Sequence, residues 1–202
     1  MTITYHGEGC FRIQSGNFSL IVDASSERFK ADVAIKTLAT PSENKEGGEN
    51  PREITTAGEY EISEARISGF QIQEDPPAGG SRKEIKSVYI ATIEDMRLGF
   101  LGHISSVPSP ETLEQFADID ILFVPLRDTN IRMHANDTNI GLSAEDAAKI
   151  VKQIEPHIVI PSLIKNPKEF LKELGKSAEA TEKLTIKKKD VAEGLSAVWL
   201  RE

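Results

Sequence analysis

The chain has 202 residues, 39% apolar and 28% charged, a composition that supports a soluble globular protein with a sizeable core. Its net charge of −8 and pI near 5.2 argue against non-specific nucleic-acid binding, which needs a basic face to neutralise phosphates. The single cysteine, Cys10, excludes an internal disulfide and a thiolate zinc cluster, and no apolar run reaches the length of a membrane span.

In chain order, the first hundred residues read mostly as strands. Met1 to His6 lacks the basic start and apolar core of a signal peptide, so a cytoplasmic location is expected. Ile3 and Tyr5 alternate with Thr2, Thr4 and His6, and Phe11 and Ile13 alternate with Arg12 and Gln14. Cys10 reads as a small buried core residue. Ser15-Gly-Asn17 is a turn before a returning strand over Phe18 to Val22, and Val33 to Thr37 is a further short strand. The polar, Gly-rich stretch 42–52 and the Pro-Gly-rich stretch 75–81 read as loops. Between and after them, Glu53 to Thr56, Glu59 to Ile62 and Ala65 to Gln73 are strands. Ser87 to Ile93 and Arg97 to Leu101 form a hairpin.

The second half alternates helices and strands. Ser109 before Pro110 opens a helix with Leu113 and Phe116 on its apolar side. Ile119 to Val124 has the continuous apolar character of a buried strand. Ser143 with Asp146 resembles a capping box, and Ala147, Ile150, Val151 and Ile154 recur at helical spacing until Pro156. His157 to Pro161 is the next buried strand. A short helix carries Phe170, Leu171 and Leu174 and stops at Gly175. Leu184 to Ile186 and Leu195 to Leu200 close the chain as strands. Lys187-Lys-Lys189 reads as a solvated charge run.

Strand-rich hairpins followed by strand–helix alternation predict a layered α/β domain. The order of particular segments narrows this. Ile3 to Ile13, Leu20-Ile-Val-Asp23, Ala31-Asp-Val33, Thr56 to Ile62, Leu101-Gly102, Asp120 to Pro125, Ala144 to Ala148 and Pro156 to Pro161 run in one sequence. Together they resemble the metallo-β-lactamase superfamily, and within it a small prokaryotic branch of stand-alone hydrolases. The resemblance implies an αββα four-layer sandwich, one domain over 1–202, with the site at one edge between the sheets.

Function is decided at the site rather than by the fold. The resemblance implies zinc held by His and Asp side chains from separate loops, the first group forming a His-x-His-x-Asp-His run. Leu38, Thr40, Ser42 and Glu43 stand at those four ligand positions. Glu74 stands where a later His is implied. His103, in Gly102-His103, replaces the bridging Asp, and Leu163 replaces the final His. Glu8 replaces the His of a first-strand Gly-His-Ser. A leucine cannot bind zinc, and a neutral hydroxyl is a poor substitute for imidazole. No cofactor is therefore expected, although the family implies zinc.

These residues predict a non-catalytic binding or assembly module that has lost the zinc site. Its partner would be a small molecule or protein, with no nucleic acid, no membrane, and self-association into a homo-oligomer left open. The alternative is a metal-dependent hydrolase remodelled around His103 with Glu8, Glu43 and Glu74. Asp23, at a strand end, is implied to organise loops near the site. The stretch 126–141, containing His134, is longer than the family's usual connection, and it reads either as a binding loop or as a surface insertion.

Overall fold

The computed structural model describes residues 1–24, 26, 30–39, 52–73, 84–128 and 140–202. Strands β1 (Thr2–Tyr5), β2 (Phe11–Ser15) and β3 (Phe18–Val22) form an antiparallel meander. In β2, Phe11, Ile13 and Ser15 are buried while Arg12 and Gln14 are half-exposed, the alternation of a strand with one face on a core. β4 (Val33–Ile35) joins β3 in parallel. Here the chain leaves the first sheet, and β5 (Leu38–Ala39) pairs instead with a strand of the second. β6 (Arg52–Ile54) returns to lie parallel to β4.

The second sheet begins with an antiparallel run of β7 (Gly58–Ile62), β8 (Ala65–Ile72), β9 (Ile85–Ile93) and β10 (Met96–Phe100). It continues in parallel through β11 (Ile121–Pro125) and β12 (Ile158–Ser162). Helix α1 (Pro110–Gln115) makes the crossover into β11. Helix α2 (Ala144–Ile154) makes the one into β12. Ser109 and Ser143 cap these helices by accepting from Thr112 N and Asp146 N, as their sequence positions predict. Helix α3 (Lys168–Glu173) follows β12.

The C-terminal segment then supplies short pieces to three sheets. β13 (Ala180–Thr181) pairs with β16 (Trp199–Leu200), β14 (Lys183–Thr185) adds to β1, and β15 (Ser196–Ala197) adds to β12. The single strand expected over Leu195 to Leu200 is thus two, because its halves take different partners. The first sheet runs β14-β1-β2-β3-β4-β6, and the second β15-β12-β11-β10-β9-β8-β7 with β5 on β9.

The facing sides of the sheets enclose one core, including Ile3, Ile13, Leu20, Ile35, Ile67, Tyr89, Phe100, Phe123 and Ile160. A second cluster packs Phe116, Ile150, Val151 and Phe170 of the helical segments against Leu122, Val124 and Val159. Buried on both faces, β11 is apolar at every position, which accounts for its unbroken sequence signal. Among the described residues, all three helices lie on this second sheet. The result is the layered α/β sandwich that the sequence predicts.

Lys187-Lys-Lys189 is exposed, as the sequence predicts, and one of its lysines also reaches a buried carboxylate. Residues Lys188–Asp190 form a 3-10 turn, and Lys188 Nζ lies 2.7 and 2.8 Å from the carboxylate oxygens of Asp120.

Candidate functional site

The ends of β3, β4, β10 and β12 meet at one edge of the sandwich, beside the loop that joins β1 to β2. Strands β3–β4 and β10–β12 are parallel within their sheets, and ligands of such sheets bind beyond the carboxyl ends of the strands. Asp23, just after β3, has a left-handed backbone at φ 49° and donates its N–H to Ile35 O. Its carboxylate is only 7% exposed. Oδ1 accepts the Thr37 backbone N–H at 2.7 Å, and Oδ2 accepts the Thr37 hydroxyl at 2.7 Å. Thr37 is fully buried and sits where the chain crosses from the first sheet to the second. Its carbonyl accepts from Ser87 N of β9, which fixes the crossing.

Gly102 follows β10 at φ 62°, and a Cβ there would collide with the Thr37 side chain. Glycine is the residue that allows both the left-handed backbone and the close approach. The next residue, His103, places Nδ1 2.7 Å from Thr37 Oγ1 and 3.5 Å from Asp23 Oδ2, with its side chain 13% exposed. Three segments distant in sequence thus converge as Asp23, Thr37 and His103.

The opposite side of the crevice is Gly9 and Leu163. A Cβ on Gly9 would stand 3.2 Å from Leu163 Cδ2 and 3.5 Å from His103 Nε2. Leu163 adopts φ 62°, an unusual backbone for a bulky residue. The Tyr5 hydroxyl bridges this side, accepting from Gly9 N at 3.4 Å and Leu163 N at 3.3 Å. Burial pushes the Tyr5 phenol above its ordinary pKa of 10.0, which keeps the group neutral.

Some of the sequence-predicted positions lie among the described residues. Leu38 lies in β5 opposite Lys86 and is half-buried. His103 and Leu163 flank the crevice. Glu8 is exposed in the turn before Gly9, at φ 49°. Thr40, Ser42, Glu43, Glu74 and His134 lie outside the described residues. Asp23, which the resemblance implies to organise loops near the site, accepts from Thr37 where the chain crosses between the sheets. Thr37 and Tyr5 were not singled out by the sequence. Thr37 had one signal, its place immediately before the four altered ligand positions.

Zinc fits this donor set poorly. Leu38 and Leu163 offer no donor atom, and His103 Nδ1 is already engaged by Thr37. Among the described residues, no three His, Cys, Asp or Glu side chains gather in a way that could hold a metal ion. A separate concavity of about 540 Å³ lies on the outer face of the second sheet, lined by Arg66, Phe70, Arg97 and Gln115 among others, and it includes none of the crevice residues.

The profile of the beta-lactamase superfamily domain matches residues 2–162. The chain belongs to the metallo-β-lactamase superfamily. Solved structures agree on the fold. A Thermotoga maritima protein assigned to the Zn-dependent hydrolases of the superfamily superposes with a TM-score of 0.74 at 20% identity, over 99% of each chain. The metallo-β-lactamase fold protein YhfI from Bacillus subtilis gives 0.63 at 11% identity, over 100% of this chain and 96% of YhfI. A Parabacteroides distasonis protein assigned as a metal-dependent hydrolase gives 0.63 at 18%, over 96% of this chain and 91% of its own. At these identities the likeness concerns the fold. No curated protein sequence matches the chain.

Proposed function

We propose that this metallo-β-lactamase-fold protein works without the superfamily's zinc site, as a non-catalytic binding or assembly module. The observation that carries the reading is the donor set at the crevice. Two former ligand positions are leucines, Leu38 and Leu163, and the third described one, His103, is hydrogen-bonded into the protein through Nδ1. A catalytic zinc needs three protein ligands and an open position for water, which it acidifies to a pKa of about 7. The crevice residues described offer one free imidazole nitrogen. On this reading no cofactor is held, the partner is a small molecule or a protein, and the protein is cytoplasmic. Metal analysis of protein purified without chelator is the test. Stoichiometric zinc, manganese or iron held by crevice residues overturns the reading.

One observation favours a second reading, a hydrolase with a remodelled site. His103 is anchored beside the Asp23 carboxylate, as a working imidazole is. The Thermotoga and Parabacteroides proteins, described as metal-dependent hydrolases, point the same way. This reading needs one metal shared by His103 and Glu8, Glu43 or Glu74. It predicts that His103→Ala lowers the metal content of the purified protein, and unchanged content rules it out.

A further inference from the structure

The hydrogen-bond chain behind His103 has a direction. A threonine hydroxyl carries one proton, and a carboxylate only accepts. The Thr37 proton is spent on Asp23 Oδ2. Thr37 Oγ1 can therefore meet His103 Nδ1 only as an acceptor, so Nδ1 carries the hydrogen. The Asp23 carboxylate, 3.5 Å from Nδ1, demands the same proton position. In the neutral ring, Nε2 is then the bare nitrogen, with its lone pair outward.

The surroundings of Nε2 suit a ligand. It has no hydrogen-bond partner among the described residues. A Cβ on Gly9 would sit at van der Waals distance from Nε2, 3.5 Å, and tightly against Leu163 Cδ2, 3.2 Å. Gly9 thus keeps open a space bounded by one acceptor and one apolar wall.

We infer that His103 Nε2 is the acceptor through which the crevice binds a ligand bearing a hydroxyl or N–H donor. Thr37 and Asp23 are positioning residues that lock the ring in its Nδ1–H tautomer. The inference rests on the reading of a site without zinc, but the two fail separately. Metal analysis reports what the purified protein holds, and ring-nitrogen spectra of chelator-treated protein report the tautomer.

Nitrogen-15 spectra, recorded above the pH at which the ring protonates, should show His103 protonated at Nδ1 and bare at Nε2. Thr37→Val should weaken this preference and Thr37→Ser should restore it, which separates the hydroxyl from mere packing. A wild-type ring protonated at Nε2, or a Thr37→Val ring locked like the wild type, overturns the inference. Diethyl pyrocarbonate probes the outward lone pair. Nε2 forms a bond to one carbonyl carbon. Ethyl carbonate leaves, takes the ring's other proton and breaks down to ethanol and carbon dioxide. The adduct is expected on His103 and should be lost in His103→Gln. Labelling of exposed His6 with none at His103 overturns the inference.

Discussion

Lys188 sets its ammonium 2.7 and 2.8 Å from the two carboxylate oxygens of Asp120, a side chain only 3% exposed, across 68 residues of chain. Asp120 also accepts from the Arg97 backbone N–H at 2.9 Å, so it ties the start of β11 to β10 and to the C-terminal segment. Removing the buried member leaves donors unsatisfied, whereas removing the half-exposed lysine loses a partly screened contact. Asp120→Ala should cost about 2–3 kcal/mol of stability. Lys188→Ala should cost about 1 kcal/mol or less. Urea unfolding of both variants checks the order, and equal losses would sink the argument.

Gly102→Ala tests the close approach that seats His103. The new methyl would strike Thr37 on a backbone already at φ 62°. A destabilisation of about 2 kcal/mol is expected, within the range of steric and strained-backbone effects. The His103 ring signals should shift as well. A variant as stable as the wild type, with an unmoved ring, would contradict this geometry.

Acid should weaken the fold partly through Asp32. Hydrogen bonds from the Ser19 hydroxyl, then from its N–H, hold the Asp32 carboxyl below its ordinary value of 3.8. A pKa depressed in the folded state gives stability that is complete above the unfolded value. That stability is lost as pH falls through the folded one. Ser19→Ala should therefore reduce stability at neutral pH and flatten its decline below about pH 4. Urea midpoints across a pH series read both effects, and parallel curves for the two proteins would refute the link.

Zinc added at one equivalent to chelator-treated protein should leave thermal unfolding unchanged. A ligand that binds only the native state stabilises it by RT ln(1 + [L]/Kd), so even modest specific affinity raises the midpoint. A rise that disappears in His103→Ala would show a working metal site and defeat the non-catalytic reading.

The sequence makes the frame of this fold readable where a signal is local. Phe11 and Ile13 declare their strand by alternation, and Ser109 and Ser143 declare helix starts by capping chemistry. It is silent where the partner is remote. Leu38–Ala39 and Ala180–Thr181 are too short to show a period, and only pairing with β9 and β16 makes them strands. The Lys188–Asp120 pair is not legible because its partners lie 68 positions apart. At the crevice, Leu38, His103 and Leu163 are legible as altered ligand positions because the surrounding segments keep the family's order. The Asp23–Thr37–His103 chain is not legible. A threonine beside a strand end carries no motif, and the direction of its proton emerges only from three distances.

Tyr5 makes the two flanks of the crevice answer to one atom. Its hydroxyl holds the amides of Gly9, in the loop joining β1 to β2 of the first sheet, and Leu163, at the end of a second-sheet strand. A guest that pushes on either flank therefore loads the other, and the opening behaves as a hinged pair rather than two independent lips. Tyr5→Phe should uncouple them, with hydrogen exchange rising at both amides together; a rise at one alone would mean that the phenol holds only that side.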